Sequence, residues 1–134
     1  MRLSVRRSFN LMQKIQRSIV SGYLKALSGL EQLPGPDGQR CIELFRHGTL
    51  SVELYAPRRT DPQTPHTRDE IYVIISGSGR FRRAAEETTF GPGDVLFVPA
   101  GEEHRFVEFG DDFATWVFFY GPEGGEASAP RLAS

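Results

Sequence analysis

The chain has 134 residues, the size of one domain. Hydrophobic residues make up 39% and charged residues 25%, a globular composition that excludes a disordered or fibrous chain. The formal net charge of -1 supplies no global field for nucleic acid or a membrane surface, and no apolar run approaches the ~20 residues of a membrane span.

From the N-terminus, Arg2, Arg6, Arg7, Lys14, Arg17 and Lys25 precede the first acid, Glu31. An acid-free start rich in Arg and Ser suits an organellar transit peptide. A true start at Met12, or a basic helix lying on the body of the protein, explains it more simply. Ile15, Ile19, Tyr23, Leu27 and Leu30 recur at helical spacing. They predict a helix over about Ser18 to Glu31 with its apolar side packed on the body. Pro34-Gly35-Pro36-Asp37-Gly38 then forces a turn.

Strand signals follow. Arg40 to Arg46 and Thr49 to Tyr55 flank a hairpin turn at His47-Gly48. In the second run Leu50, Val52 and Leu54 alternate with Ser51 and Glu53, which predicts one buried face and one wet face. After a polar connection, Glu70 to Ile75, Gly79 to Ala84, Thr88 to Phe90, Val95 to Val98, His104 to Phe109 and Phe113 to Tyr120 complete the set. About eight short strands punctuated by Gly and Pro predict a barrel or double-sheet jelly roll. Residues 122–134 are small and polar, which predicts a flexible tail or one docked on a partner subunit. The lone cysteine, Cys41, allows no intrachain disulfide, fits a reducing, cytoplasmic setting and reads as a half-buried, inert thiol.

Two stretches carry the chemistry. His66 and Glu70 are separated by a polar bridge, Thr67-Arg68-Asp69, and lead into the apolar run Ile71 to Ile75. Gly93-Asp94-Val95-Leu96-Phe97-Val98-Pro99-Ala100-Gly101 leads to a second histidine, His104. Two histidines and one carboxylate on strand ends can form a facial triad for a divalent metal.

These stretches resemble the two sequence motifs of the cupin superfamily. His66, Glu70 and Gly77 match the second half of the first motif, G-x5-H-x-H-x3-4-E-x6-G. Gly93, Pro99, Gly101 and His104 match the second, G-x5-P-x-G-x2-H-x3-N. The resemblance spans roughly Cys41 to Gly121. It implies an all-β fold, a double-stranded β-helix (jelly-roll barrel), to which the periodicity adds one N-terminal helix. Residues 1–39 would form the basic segment and helix, 40–121 the barrel and 122–134 the tail. It further implies a mononuclear divalent metal (Fe, Mn, Ni, Zn or Co) held by His66, Glu70 and His104, and a homodimer.

Two positions depart from the motifs. Thr64 replaces the first histidine, so a four-ligand site is reduced to three unless Gln63 or Thr64 itself completes it. Glu108 replaces the final asparagine and shares inward parity with His104 and Phe106. Glu108 and Tyr72 are the candidates for moving protons. The site suits an oxygenase or isomerase acting on a small organic molecule. Two readings stay open beside it: a small-ligand-binding barrel without turnover, and a structural remnant whose histidines are merely buried. No partner of nucleic acid or membrane type is expected.

Overall fold

The computed structural model describes residues 23–133. The basic stretch before Tyr23, with Ile15 and Ile19, lies outside the described residues. The described residues form a short helix α1 (Ala26–Leu30) and eight strands: β1 (Cys41–His47), β2 (Leu50–Tyr55), β3 (Asp69–Ser76), β4 (Gly79–Arg83), β5 (Glu86–Phe90), β6 (Val95–Val98), β7 (His104–Phe109) and β8 (Ala114–Tyr120). They assemble into a five-stranded sheet, β1-β2-β8-β3-β6, and a three-stranded sheet, β5-β4-β7. All pairings are antiparallel. This is the expected all-β jelly roll, with one short helix among the described residues.

The helix is shorter than its periodicity predicts. Lys25 is extended (φ -102°, ψ 122°), so residues 23–25 are not helical, and the start has no side-chain cap to satisfy its amides. Of the predicted apolar stripe, the described residues Tyr23 and Leu27 are exposed and Leu30 is half-buried. Gly29 is the buried contact instead. A Cβ there would meet Leu54 Cδ1 at 2.1 Å, so the absence of a side chain lets the helix backbone sit on β2.

The predicted wet face of β2 turns into the barrel. Glu53 stands opposite Val117, and Val117 stands opposite Tyr72. Directly paired residues of an antiparallel sheet point to the same face. Val117 and Tyr72 belong to the core, so Glu53 shares the interior face. Leu54, on the opposite face, is buried under α1. Cys41 opens β1 and is exposed rather than half-buried.

Aromatic rings fill the space between the sheets. Phe106 lies at their centre, with ring centroids 4.6 Å from Phe113, 4.9 Å from Tyr72 and Phe81, and 5.3 Å from Phe90. Several of these contacts are edge-to-face, the arrangement the ring quadrupole favours.

β7 carries an irregularity with a functional consequence. Phe106 pairs with Phe81, but Glu108 pairs with Arg80, so Val107 is an extra residue on β7. Such a bulge interrupts the strict alternation of faces.

Candidate metal centre

His66 lies in the loop before β3, Glu70 is the second residue of β3, and His104 is the first residue of β7. The loop is held in place from two sides. Gly101 N–H donates to the His66 carbonyl at 2.6 Å, and Gly124 N–H donates to the Thr67 carbonyl at 2.6 Å. Gly101 has φ +78°, a left-handed backbone that glycine adopts without strain and that brings its amide to His66. Asp69 completes the clamp. Its place in the sequence suggests a local turn former, but its buried carboxylate accepts from Ala100 N–H and Glu126 N–H, each at 2.9 Å. The loop before β3 is thereby tied to the β6–β7 loop and to the segment after β8.

These constraints bring the three predicted ligands together. One donor atom each from His66, Glu70 and His104 lie within 4.8 Å of one another. Glu70 is 0% exposed. Its Oε2 is 3.2 Å from His66 Nε2, and its Oε1 is 3.2 Å from His104 Nε2. The imidazole rings lie 5.2 Å apart, centroid to centroid. Phe119 packs edge-on against the His66 ring at 4.8 Å. The His66 side chain is 30% exposed while those of Glu70 and His104 are closed to solvent, so the site opens on the His66 side.

The tautomer of His104 is set by its surroundings. Nδ1–H donates to the Glu102 carbonyl at 3.0 Å, which leaves Nε2 as the lone pair of the neutral ring. That lone pair faces a carboxylate oxygen. Neither Glu70 oxygen makes a hydrogen bond of sound geometry, although both are buried. A buried carboxylate in this state is costly unless a positive charge lies between it and the imidazoles. Either a proton or a metal ion meets that need. The spacing fits a metal. Ligand bonds of about 2.1 Å put neighbouring donors about 3.0 Å apart in an octahedron and about 3.4 Å apart in a tetrahedron. Mixed imidazole nitrogen and carboxylate oxygen suit the later first-row divalent ions.

The two histidines titrate in opposite directions. Burial pushes His66 below the ordinary histidine value; Glu70 opposes this and the neighbouring His104 adds to it. Burial pushes His104 down as well. The Glu70 carboxylate and the Glu102 carbonyl outweigh that and leave His104 raised.

Tyr72 is brought to the same point. Its hydroxyl is 3.1 Å from His104 Nε2 and donates to Gln63 Oε1 at 2.7 Å. Burial first, and then the Glu70 charge, hold the phenol well above its ordinary value, so it keeps its proton.

Glu108 is not part of the site. The bulge at Val107 puts it outside, where its 67%-exposed side chain pairs with Arg80 Nε at 3.0 Å. Thr64, where the motif has its first histidine, is also exposed. Three further polar groups face the interior, and local sequence signals mark them weakly. Gln63, an alternative to Thr64 in the motif, has its side-chain oxygen 3.3 Å from His66 Nε2. Asp61, buried at 2% exposure, holds the Gln63 amide. Glu53 faces the interior, and burial, then Glu43 and Glu70, raise its carboxyl above the ordinary range. The signal for Glu53 is its parity with Tyr55. Nothing local marks Asp61.

An antiparallel jelly roll with a His-Glu-His cluster in its mouth defines the cupin class. The family model for the cupin domain matches residues 51–120, more than half of the chain, and the chain belongs to that family. An uncharacterised protein of Streptomyces coelicolor is 37% identical over 84 residues, covering 61% of this chain and 80% of that protein. TT1209 from Thermus thermophilus is similar in structure, with TM-score 0.56 and 25% identity over 74% of this chain and 98% of that one. A cupin superfamily protein from Desulfitobacterium hafniense superposes with TM-score 0.51 at 19% identity, covering 60% of this chain and 74% of that one.

Proposed function

We propose that this cupin binds one divalent metal ion through His66, Glu70 and His104 and acts with it on a small organic molecule that enters from the His66 side. One observation carries the reading: a fully buried carboxylate whose two oxygens, lacking hydrogen bonds, each face an imidazole Nε2 at 3.2 Å. A metal held there supplies Lewis-acid polarisation of a bound oxygen. The chain supplies the rest. Glu70 and the two rings fix the position of the ion. Phe119 and the core rings exclude water from the closed side. Tyr72, protonated and within reach of the same point, is placed to turn its O–H from Gln63 Oε1 to a substrate oxygen. Oxygenase and isomerase chemistry both suit this arrangement.

The test is elemental analysis of wild-type protein beside His66→Ala. Near-stoichiometric metal in the wild type and its loss in the variant support the site. A metal-free wild type after supplementation refutes it.

A second reading, ligand binding without turnover, has one observation in its favour. Tyr72 holds its proton more tightly than a free phenol does, so the interior offers a fixed hydrogen-bond donor that suits holding a ligand. Ligand-dependent thermal stabilisation with no product would support it.

We further read the protein as a cytoplasmic homodimer. Val95 is 63% exposed on β6, an edge strand of the larger sheet, and Tyr23 and Leu27 add exposed apolar surface. Among the described residues no helix is long and apolar enough to cross a membrane. Light scattering at micromolar concentration tests the dimer, and a monomer there refutes it.

A further inference from the structure

The geometry points to Gln63 Oε1 as a fourth protein ligand of the metal, held in position by Asp61. This inference rests on the metal-binding reading above and deepens it.

The orientation of the Gln63 amide is determined by its neighbours. Its Nε2–H donates to Asp61 Oδ2 at 3.0 Å, which turns Oε1 the other way, toward Tyr72 and His66. A flipped amide would set its carbonyl oxygen against the buried Asp61 carboxylate and lose the Tyr72 hydrogen bond. Asp61 itself has no freedom to turn. It also accepts from Tyr55 O–H at 2.6 Å, Gln63 N–H at 3.3 Å and Phe106 N–H at 2.9 Å. With its two oxygens saturated by these donors, Asp61 is a positioning residue and not a ligand.

The distances continue the polyhedron already described. His66 Nε2 is 3.2 Å from Glu70 Oε2 and 3.3 Å from Gln63 Oε1. A single N–H on that nitrogen serves one oxygen well, whereas an ion in the middle serves all three donors at once. Both separations match neighbouring-donor edges around a metal with bonds of about 2.1 Å. The chemistry also balances. The histidine that Thr64 replaces in the motif is a neutral donor, and an amide oxygen is neutral too. The donor set therefore keeps the single negative charge of Glu70. One lone pair of Gln63 Oε1 ligates while the other accepts from Tyr72, so the phenol is tied to the metal through the amide.

The test uses the purified full chain as wild type, Gln63→Ala, Gln63→Leu and His66→Ala. Zinc affinity is measured by competition with a chromophoric chelator, the cobalt(II) visible spectrum reports the ligand set, and the melting temperature of the metal-free protein reports folding. The Gln63 variants are expected to bind zinc at least about tenfold more weakly and to change the cobalt bands, with the metal-free melting temperature kept. Gln63→Leu preserves most of the side-chain volume, so it remains informative if Gln63→Ala is destabilised. Wild-type affinity and an unchanged cobalt spectrum in a folded Gln63 variant, with binding lost in His66→Ala, would overturn the fourth ligand and leave the three-ligand site standing. A wild type that takes up neither ion would overturn both.

Discussion

His66 and His104 flank one carboxylate that raises both, yet burial outweighs it at His66 and not at His104, and the difference predicts how the site depends on pH. His104 sits above the ordinary histidine value and His66 below it. A protonated imidazole has no lone pair at Nε2 and cannot ligate. Metal affinity should therefore be full above the raised His104 value and fall by about tenfold per unit beneath it, with His66 adding a second proton only at lower pH. In the metal-free protein the His104 shift has the opposite consequence. Its contribution to stability is complete below the ordinary histidine value and is lost as pH rises through the raised one. Metal titrations and melting curves across that range measure both, and a metal affinity independent of pH would contradict the assignment of His104. Tyr72→Phe isolates the hydroxyl. It should keep the metal, since the ring still fills the core, while losing ligand binding or turnover that relies on proton donation.

At the scale of elements, the site depends on how loops are tied to strands. Asp69 joins the loop before β3 to Ala100 and Glu126, so Asp69→Ala leaves two part-buried amides without their charged acceptor. A cost of about 1–3 kcal/mol in stability is expected for such unsatisfied groups, together with weaker metal retention, because His66 is carried by the same loop. Chemical denaturation and chelator competition on one sample check the two effects. Phe106 has a different role. Its ring contacts core rings from both sheets. Phe106→Ala should cost about 3–5 kcal/mol through lost burial and the cavity left behind. The bulge at Val107 shows how one extra residue reassigns function: it removes Glu108 from the interior and gives it to Arg80.

For the whole molecule, a metal that binds only the folded barrel must stabilise it by mass action. At a free concentration about a hundredfold above the dissociation constant the gain is about 2.7 kcal/mol. Thermal melting with and without added zinc should show this shift in the wild type and not in His66→Ala. No shift in the wild type would count against a site built from two segments, His66 to Glu70 and His104, that are distant in the chain. Those segments meet because β3 lies between β6 and β8 in the larger sheet while β7 brings His104 from the other.

Much of this was legible in the sequence, for a local reason. Strand positions, the Gly48 and Gly101 turns and the spacing of His66 from Glu70 depend on alternation and backbone preference over a few residues, and these are written into short stretches. The motif spacing also picked out His104, which the fold brings beside His66 and Glu70. What the tertiary structure decided depends on contacts far apart in the chain. Which face of β2 is interior follows from its pairing with β8, not from its own alternation. The exit of Glu108 follows from the register of β7 against β4. The orientation of Gln63 depends on Asp61, which is fixed in turn by the amide of Phe106, 45 residues away. Periodicity encodes which residues share a face, but only packing determines which face is inside and which polar groups are left to meet there.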